Sequence, residues 1–202
     1  MLDFIRIACA VPAVRVGDTA KNAEDICAYI EKADGERADI VLFPELALTG
    51  YSCQDLFFQD TLWAGVQQGI RKIADCTKNH PGVTAAVGLP VRTGMRLYNC
   101  AAVISRGKIH ALVPKTYIPN YNEFNEKRRF SSGSEVTEDM AELLGEPVPI
   151  LPRAVFRVGG TLLGVEICED MWTPLPPSTF LALNGAEVIL NLSASNETIG
   201  KR

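Results

Sequence analysis

The chain has 202 residues, 47% of them hydrophobic and 22% charged, with a formal net charge of −4. That suits one ordinary domain with a substantial core, and the weakly acidic balance lacks the basic footprint of a nucleic-acid binder. No apolar run approaches the ~18 residues of a membrane span, and Met1-Leu-Asp-Phe-Ile-Arg lacks the basic start of a secretory signal, so a cytoplasmic protein without membrane or nucleic-acid partners is expected.

Phe4 to Val11 is apolar and β-branched and predicts a strand stopped by Pro12. Asp18-Thr19 offers an N-cap for a helix carrying Ala23, Ile26, Cys27, Ile30 and Ala33 at helical spacing, with Gly35 as its stop. A strand over 40–43 follows, so the chain opens as β-α-β. After a loop over 49–55, a second helix places Leu62, Val66, Ile70 and Ile73 on one face and ends near His80-Pro81-Gly82. The pattern then changes to sheet. Strands are predicted over 83–91, 98–105 and 108–113, joined by turns at Thr93-Gly-Met-Arg and Ser105-Arg-Gly-Lys.

Residues 116–150 are polar, aromatic and proline-rich, a connection long enough to suggest a function of its own. Within it, Lys127-Arg128-Arg129 reads as a short solvated basic stretch. A hairpin over 153–158 and 161–167 turns at Gly159-Gly160. A short helix capped by Ser178 and a last strand over 187–192 complete the pattern. Helices, crossovers and hairpins together predict an α/β layered sandwich with mixed sheets. Arg202 follows that strand by ten residues with no closing element, which predicts a truncated domain.

The six cysteines, at 9, 27, 53, 76, 100 and 168, form no C-x-x-C pair, so neither zinc nor a disulfide framework is indicated. Five of them read as small core residues. Cys168 stands apart. It closes the apolar run that begins at Thr161, just as Glu45 closes 39–44 and Lys115 closes 109–114. Reacting groups in open α/β sheets gather beyond the carboxyl ends of strands. A thiol, a carboxylate and an ammonium at equivalent places suffice for amide hydrolysis through a thioester. Glu45 would move the protons. Lys115 would favour the thiolate over the usual thiol pKa of about 8.5 and, with the Glu169 N–H, would steady an oxyanion. Each residue alone has a plainer account: a core thiol, a surface acid, a strand-end lysine. With two histidines, His80 and His110, and no G-x-S-x-G, H-E-x-x-H, P-loop or G-x-G-x-x-G, serine-hydrolase, zincin and nucleotide-binding readings find no support.

Phe43-Pro-Glu45-Leu with Thr49-Gly-Tyr51, Pro114-Lys115 and Gly164-Val-Glu-Ile-Cys168-Glu-Asp resemble the nitrilase (carbon–nitrogen hydrolase) superfamily and its Glu-Lys-Cys triad. The runs 115–130, 168–178 and 184–196 are similar to one branch, the amino-terminal glutaminase domains of glutamine-dependent NAD⁺ synthetases. The resemblance implies a four-layer αββα sandwich over 1–202, with its C-terminal part missing. It also implies glutamine as substrate, and ammonia passed to a synthetase domain of the same polypeptide that amidates nicotinic acid adenine dinucleotide. No cofactor is implied for the glutaminase step; ATP and Mg²⁺ would belong to the absent synthetase domain. A homo-oligomer is expected. Glu45, Lys115 and Cys168 match the triad. Glu126 matches a second, substrate-positioning glutamate, with Glu123 the weaker candidate. Tyr51, Tyr121, Phe124, Glu169 and Ser195 match pocket positions, and Lys201 falls where a basic contact, ordinarily arginine, is expected. Two alternatives stay open: a stand-alone amidase or carbamoylase, and an interaction-only fragment with an unreactive Cys168.

Overall fold

The computed structural model describes residues 4–196 and 199–200. Strand β1 (Ile7–Cys9) leads through α1 (Thr19–Gly35) to β2 (Ile40–Leu42), and α2 (Asp60–Asn79) then precedes a meander of β3 (Thr84–Thr93), β4 (Arg96–Ser105) and β5 (Lys108–Pro114). The five strands lie in chain order, β1 to β3 parallel and β4 and β5 antiparallel to their neighbours. Asp18 caps α1 by accepting the Lys21 N–H at 3.0 Å, as its sequence predicts.

Both faces of this sheet are buried. Val41, Val87, Leu89, Cys100, Ala102 and Ile104 cluster with Ile26 and Ile30 of α1 and Val66, Ile70 and Ile73 of α2. Their strand neighbours Ile40, Ala86, Ala101 and Val103 cluster instead with Leu163, Val165, Ile167, Leu190 and Leu192. The two-residue period of a strand is thus present but hidden in the sequence, because neither face meets water. Burying an isoleucine such as Ile26 or Ile70 contributes about 1.5–3 kcal/mol.

Beyond β5, the hairpin of β6 (Met140–Leu143) and β7 (Glu146–Pro149) packs Ala141, Leu143 and Val148 into the helix-side cluster. The second large sheet is β8 (Val155–Val158), β9 (Thr161–Ile167) and β10 (Val188–Leu192), with β9 central. β9 is antiparallel to β8 and parallel to β10, and α3 (Pro177–Leu183) is the crossover between the parallel pair. α3 lies so close to β9 that a Cβ on Gly164 would meet Leu181 Cδ1 at 2.8 Å. The layers are therefore helix, sheet, sheet, helix, as the resemblance implies.

Several local expectations need correction. The first strand is shorter than 4–11, and Phe4 is exposed. Residues 51–58 are 3₁₀-helical rather than loop, and the connection 116–150 contains the β6–β7 hairpin. Ser178 does not cap α3; the helix starts at Pro177, and the Ser178 N–H is met by Glu166 Oε2 at 3.0 Å. Arg129 is not solvated, since its side chain is buried and bonds Asn125 and Gln54. Cys9 is exposed, so it is not one of the core thiols.

Candidate active site

Three strand ends converge. After β2 the chain turns sharply at Glu45, with Leu46 at φ 52°. The turn lies flat on β3 at Gly88, where a Cβ would come within 2.3 Å of Leu46 N and 2.4 Å of Pro44 O. Glycine is required there by the approach of the backbone. Lys115 follows β5 directly, and its N–H donates to Asn99 O at 2.8 Å while its carbonyl accepts from Gly133 N–H at 2.7 Å. Cys168 follows β9 directly at φ 45°, a left-handed conformation unfavourable for a residue with a Cβ. It opens the 3₁₀ turn Cys168–Trp172.

Asp170 ties two of these ends together. Its buried carboxylate accepts from Ile167 N–H at 3.1 Å in the nucleophile turn, and from Thr116 N–H at 3.0 Å and Tyr117 N–H at 2.7 Å just beyond Lys115. Burial raises its pKa to about 7 against the lowering effect of those donors.

Glu45, Lys115 and Glu126 form a buried ionic cluster, 2%, 0% and 4% exposed. Lys115 Nζ donates to Glu45 Oε1 at 2.7 Å and to Glu126 Oε1 and Oε2 at 2.8 and 3.0 Å, so its three N–H groups face three carboxylate oxygens. Burial works against the ammonium, but the attraction of Glu45 and then Glu126 outweighs it, and the Lys115 pKa is raised. The Glu126 pKa is also raised, by burial first and by Glu45, against the pull of Lys115. Tyr51 Oη donates to Glu126 Oε1 at 2.8 Å, and Asn99 Nδ2 to Glu45 Oε1 at 2.7 Å.

The Cys168 thiol departs from expectation. Its pKa is raised to about 11, by burial first and then by the Glu45 charge; Lys115 lowers it, but by less. The cation exists where the sequence places it, yet two carboxylates already neutralise it. The resting nucleophile is therefore a thiol beside a base, rather than a preformed thiolate.

The two carboxylates of this cluster, but not Lys115, line a cavity of about 190 Å³. Glu45, Glu126 and Cys168 contribute to its walls, as do Tyr51, Tyr121, Phe124, Glu169 and Ser195. Every pocket residue expected from the sequence lies there except Lys201, which falls outside the described residues. Tyr121 Oη donates to Glu169 Oε2 at 2.8 Å across the mouth. Glu123 is exposed and bonded to Asn196 instead, so Glu126 is the glutamate of the cluster. A larger cavity of about 780 Å³ shares Pro119, Tyr121 and Glu169 with the first, but none of the triad lines it. Sequence reasoning missed Asn99, Asp170, Trp172 and the Ala194 N–H, which donates to Glu45 Oε2 at 3.1 Å. For Asn99 a signal existed: an amide within the apolar run of β4.

Among the described residues, no three His, Cys, Asp or Glu side chains are grouped to hold a metal ion, and no helix is long and apolar enough to cross a membrane. The lining of the Cys168 cavity carries three carboxylates, Glu45, Glu126 and Glu169, and, among the described residues, no Lys or Arg side chain to meet a phosphate.

A glutamine-dependent NAD(+) synthetase of Xylella fastidiosa is 39% identical over 202 residues, all of this chain and 34% of that protein. One from Mycobacterium leprae is 36% identical over 200 residues, 98% of this chain and 29% of that protein. The chain thus spans about a third of the length of these curated relatives. The structure of such a synthetase from Cytophaga hutchinsonii superposes with a TM-score of 0.81 at 28% identity, over 98% of this chain and 32% of that one. The carbon-nitrogen hydrolase family matches residues 6–201. With the Glu45–Lys115–Cys168 cluster at three strand ends, that match places the chain in the carbon–nitrogen hydrolase family.

Proposed function

We propose that residues 1–202 form a glutaminase domain that releases ammonia for a synthetase domain of a longer polypeptide, making NAD⁺ from nicotinic acid adenine dinucleotide with ATP and Mg²⁺ bound in that other domain. The observation that carries the chemistry is Cys168, held in a left-handed turn and sharing the wall of one cavity with the Glu45 carboxylate, whose charge acts on its thiol. Support for glutamine comes from the names of the relatives and from the polar groups Glu126, Glu169, Tyr51 and Tyr121 around the cavity.

In this mechanism Cys168 Sγ attacks the side-chain amide carbon while its proton passes to Glu45. Because the thiol is protonated at rest, proton transfer and attack must be coupled, which suits a neighbouring carboxylate in the same cavity wall. The tetrahedral oxyanion needs donors. Lys115 can supply one if a Glu126 oxygen gives way, since all three of its N–H groups are engaged at rest. Glu45 returns the proton to the departing ammonia, leaving a thioester. It then takes a proton from the water that cleaves the thioester, and glutamate leaves with the thiol restored.

The test is product analysis with glutamine. Ammonia and glutamate should appear in equal amounts, Cys168→Ala should abolish both, and added hydroxylamine should divert the acyl group to the hydroxamate. Cleavage of simple aliphatic amides with no action on glutamine would instead favour a stand-alone amidase. No hydrolysis of any amide by the full-length protein would favour an interaction module.

A further inference from the structure

The two oxygens of Glu45 are not equivalent. Oε1 accepts from Lys115 Nζ and from Asn99 Nδ2, each at 2.7 Å, so both of its lone pairs are used. Oε2 accepts the Ala194 N–H at 3.1 Å and keeps a second lone pair. We infer that Asn99 is a positioning residue for the general base: its amide fixes Oε1 against Lys115 and so presents Oε2 to the Cys168 proton, an inference that rests on the amide-hydrolysis reading above.

The placement of Asn99 supports this. It sits on β4, 0% exposed, and its backbone carbonyl receives the Lys115 N–H at 2.8 Å. One residue thereby sets the position of the lysine through its main chain and of the glutamate through its side chain. The orientation of the amide is also dictated, because turning it over would set an oxygen against a carboxylate oxygen at 2.7 Å. That orientation leaves Asn99 Oδ1 buried with no donor among the described residues. A buried acceptor left unmet is destabilising. Leucine would fill similar space without that penalty, so fold stability does not by itself account for asparagine here. An incompletely satisfied amide bonded to a reacting carboxylate points to its chemistry.

The main-chain bond to Lys115 survives any substitution, so side-chain variants isolate the effect on Glu45. A donor to the ionised carboxylate favours that form, and Glu45 must be ionised to accept the thiol proton. In Asn99→Leu, kcat for glutamine should fall about 10- to 100-fold, part of the 10²–10⁴ typical of a placed base, with KM within about twofold. The acid limb of kcat/KM should move to higher pH. Asn99→Asp keeps the shape but replaces the donor with an acid, and should move that limb further. A second readout needs no turnover. The pH dependence of Cys168 labelling by iodoacetamide should shift in both variants, because the Glu45 charge acts directly on the thiol. Unchanged kcat, acid limb and labelling profile in folded variants would overturn the role. Failure of the similarly sized Asn99→Leu to fold would make Asn99 a packing residue and overturn it equally. A wild type that labels at Cys168 yet releases no ammonia from glutamine would break the hydrolysis reading alone, leaving the labelling shift to judge Asn99.

Discussion

The helix-covered side of the large sheet and the end where the three strands deliver Glu45, Lys115 and Cys168 are built on opposite terms. On the helix side, Ile26, Ile30, Val66, Ile70 and Ile73 meet apolar strand residues, and the helix residues that make these contacts recur at a local repeat. At the strand ends, an ammonium and two carboxylates are buried together, and Leu46 and Cys168 hold left-handed backbones that their side chains disfavour. The first region stores the stability and the second consumes it. Groups so costly to bury persist because the sandwich around them is well packed.

The sharpest way to break that contrast is Lys115→Met. Loss of one oxyanion donor typically lowers rate about 10²–10³-fold, and here Glu45 and Glu126 would also be left buried without their cation. Breaking a buried pair costs about 3–5 kcal/mol, so urea melts should show a large loss as well. The exposed Arg96–Glu135 pair should, by comparison, be worth at most about 1 kcal/mol. Near-normal turnover by Lys115→Met would remove lysine from the mechanism.

Gly88→Ala joins the two regions. Its methyl would press on Leu46 N and Pro44 O and push the Glu45 turn off β3. A displacement of about 1 Å can cost on the order of 100-fold in rate, and kinetics should show that loss with the sheet intact by circular dichroism. A wild-type rate would mean that the turn tolerates the shift.

A smaller effect is read in pH. With the Cys168 pKa raised to about 11, above the ordinary 9.0 of a thiol, the protonated form prevails at neutrality. Labelling by an uncharged alkylator should therefore climb about tenfold per pH unit from 7 and level near pH 11. By the same sign, the stability tied to the protonated thiol is full below pH 9 and is lost as pH rises through 11. A plateau reached by pH 8 would mean that Lys115 dominates after all.

The smallest effect on rate should come from Ile70→Ala, in the helix-side cluster. It should lower stability by about 2–5 kcal/mol and leave turnover per folded molecule unchanged. A fall in kcat would show that the two regions are mechanically coupled.

How much of this the sequence discloses follows the same division. The helix carrying Leu62, Val66, Ile70 and Ile73 is legible because its period is local and its polar face is solvated. The hairpin of β6 and β7 is not, since its strands are short and hold Pro147 and Pro149. Ser178 misleads because a carboxylate from β9, Glu166, does the capping. At the site, Glu45, Lys115 and Cys168 are legible because each closes an apolar strand. Asn99 and Asp170 act on partners 54 residues away, and no spacing rule reaches that far. The thiol shows the limit most clearly: a cation nearby can be read from the chain, but its neutralisation by two carboxylates exists only in three dimensions.

The central claim is that Cys168 carries the acyl group. The direct measurement is peptide mass spectrometry of the protein mixed with glutamine and quenched in acid within the first turnover. The account requires a γ-glutamyl thioester on the peptide containing Cys168, absent in Cys168→Ala and depleted by hydroxylamine. Ammonia release with no adduct, or an adduct on Cys53 or Cys9 with Cys168 unmodified, would contradict it.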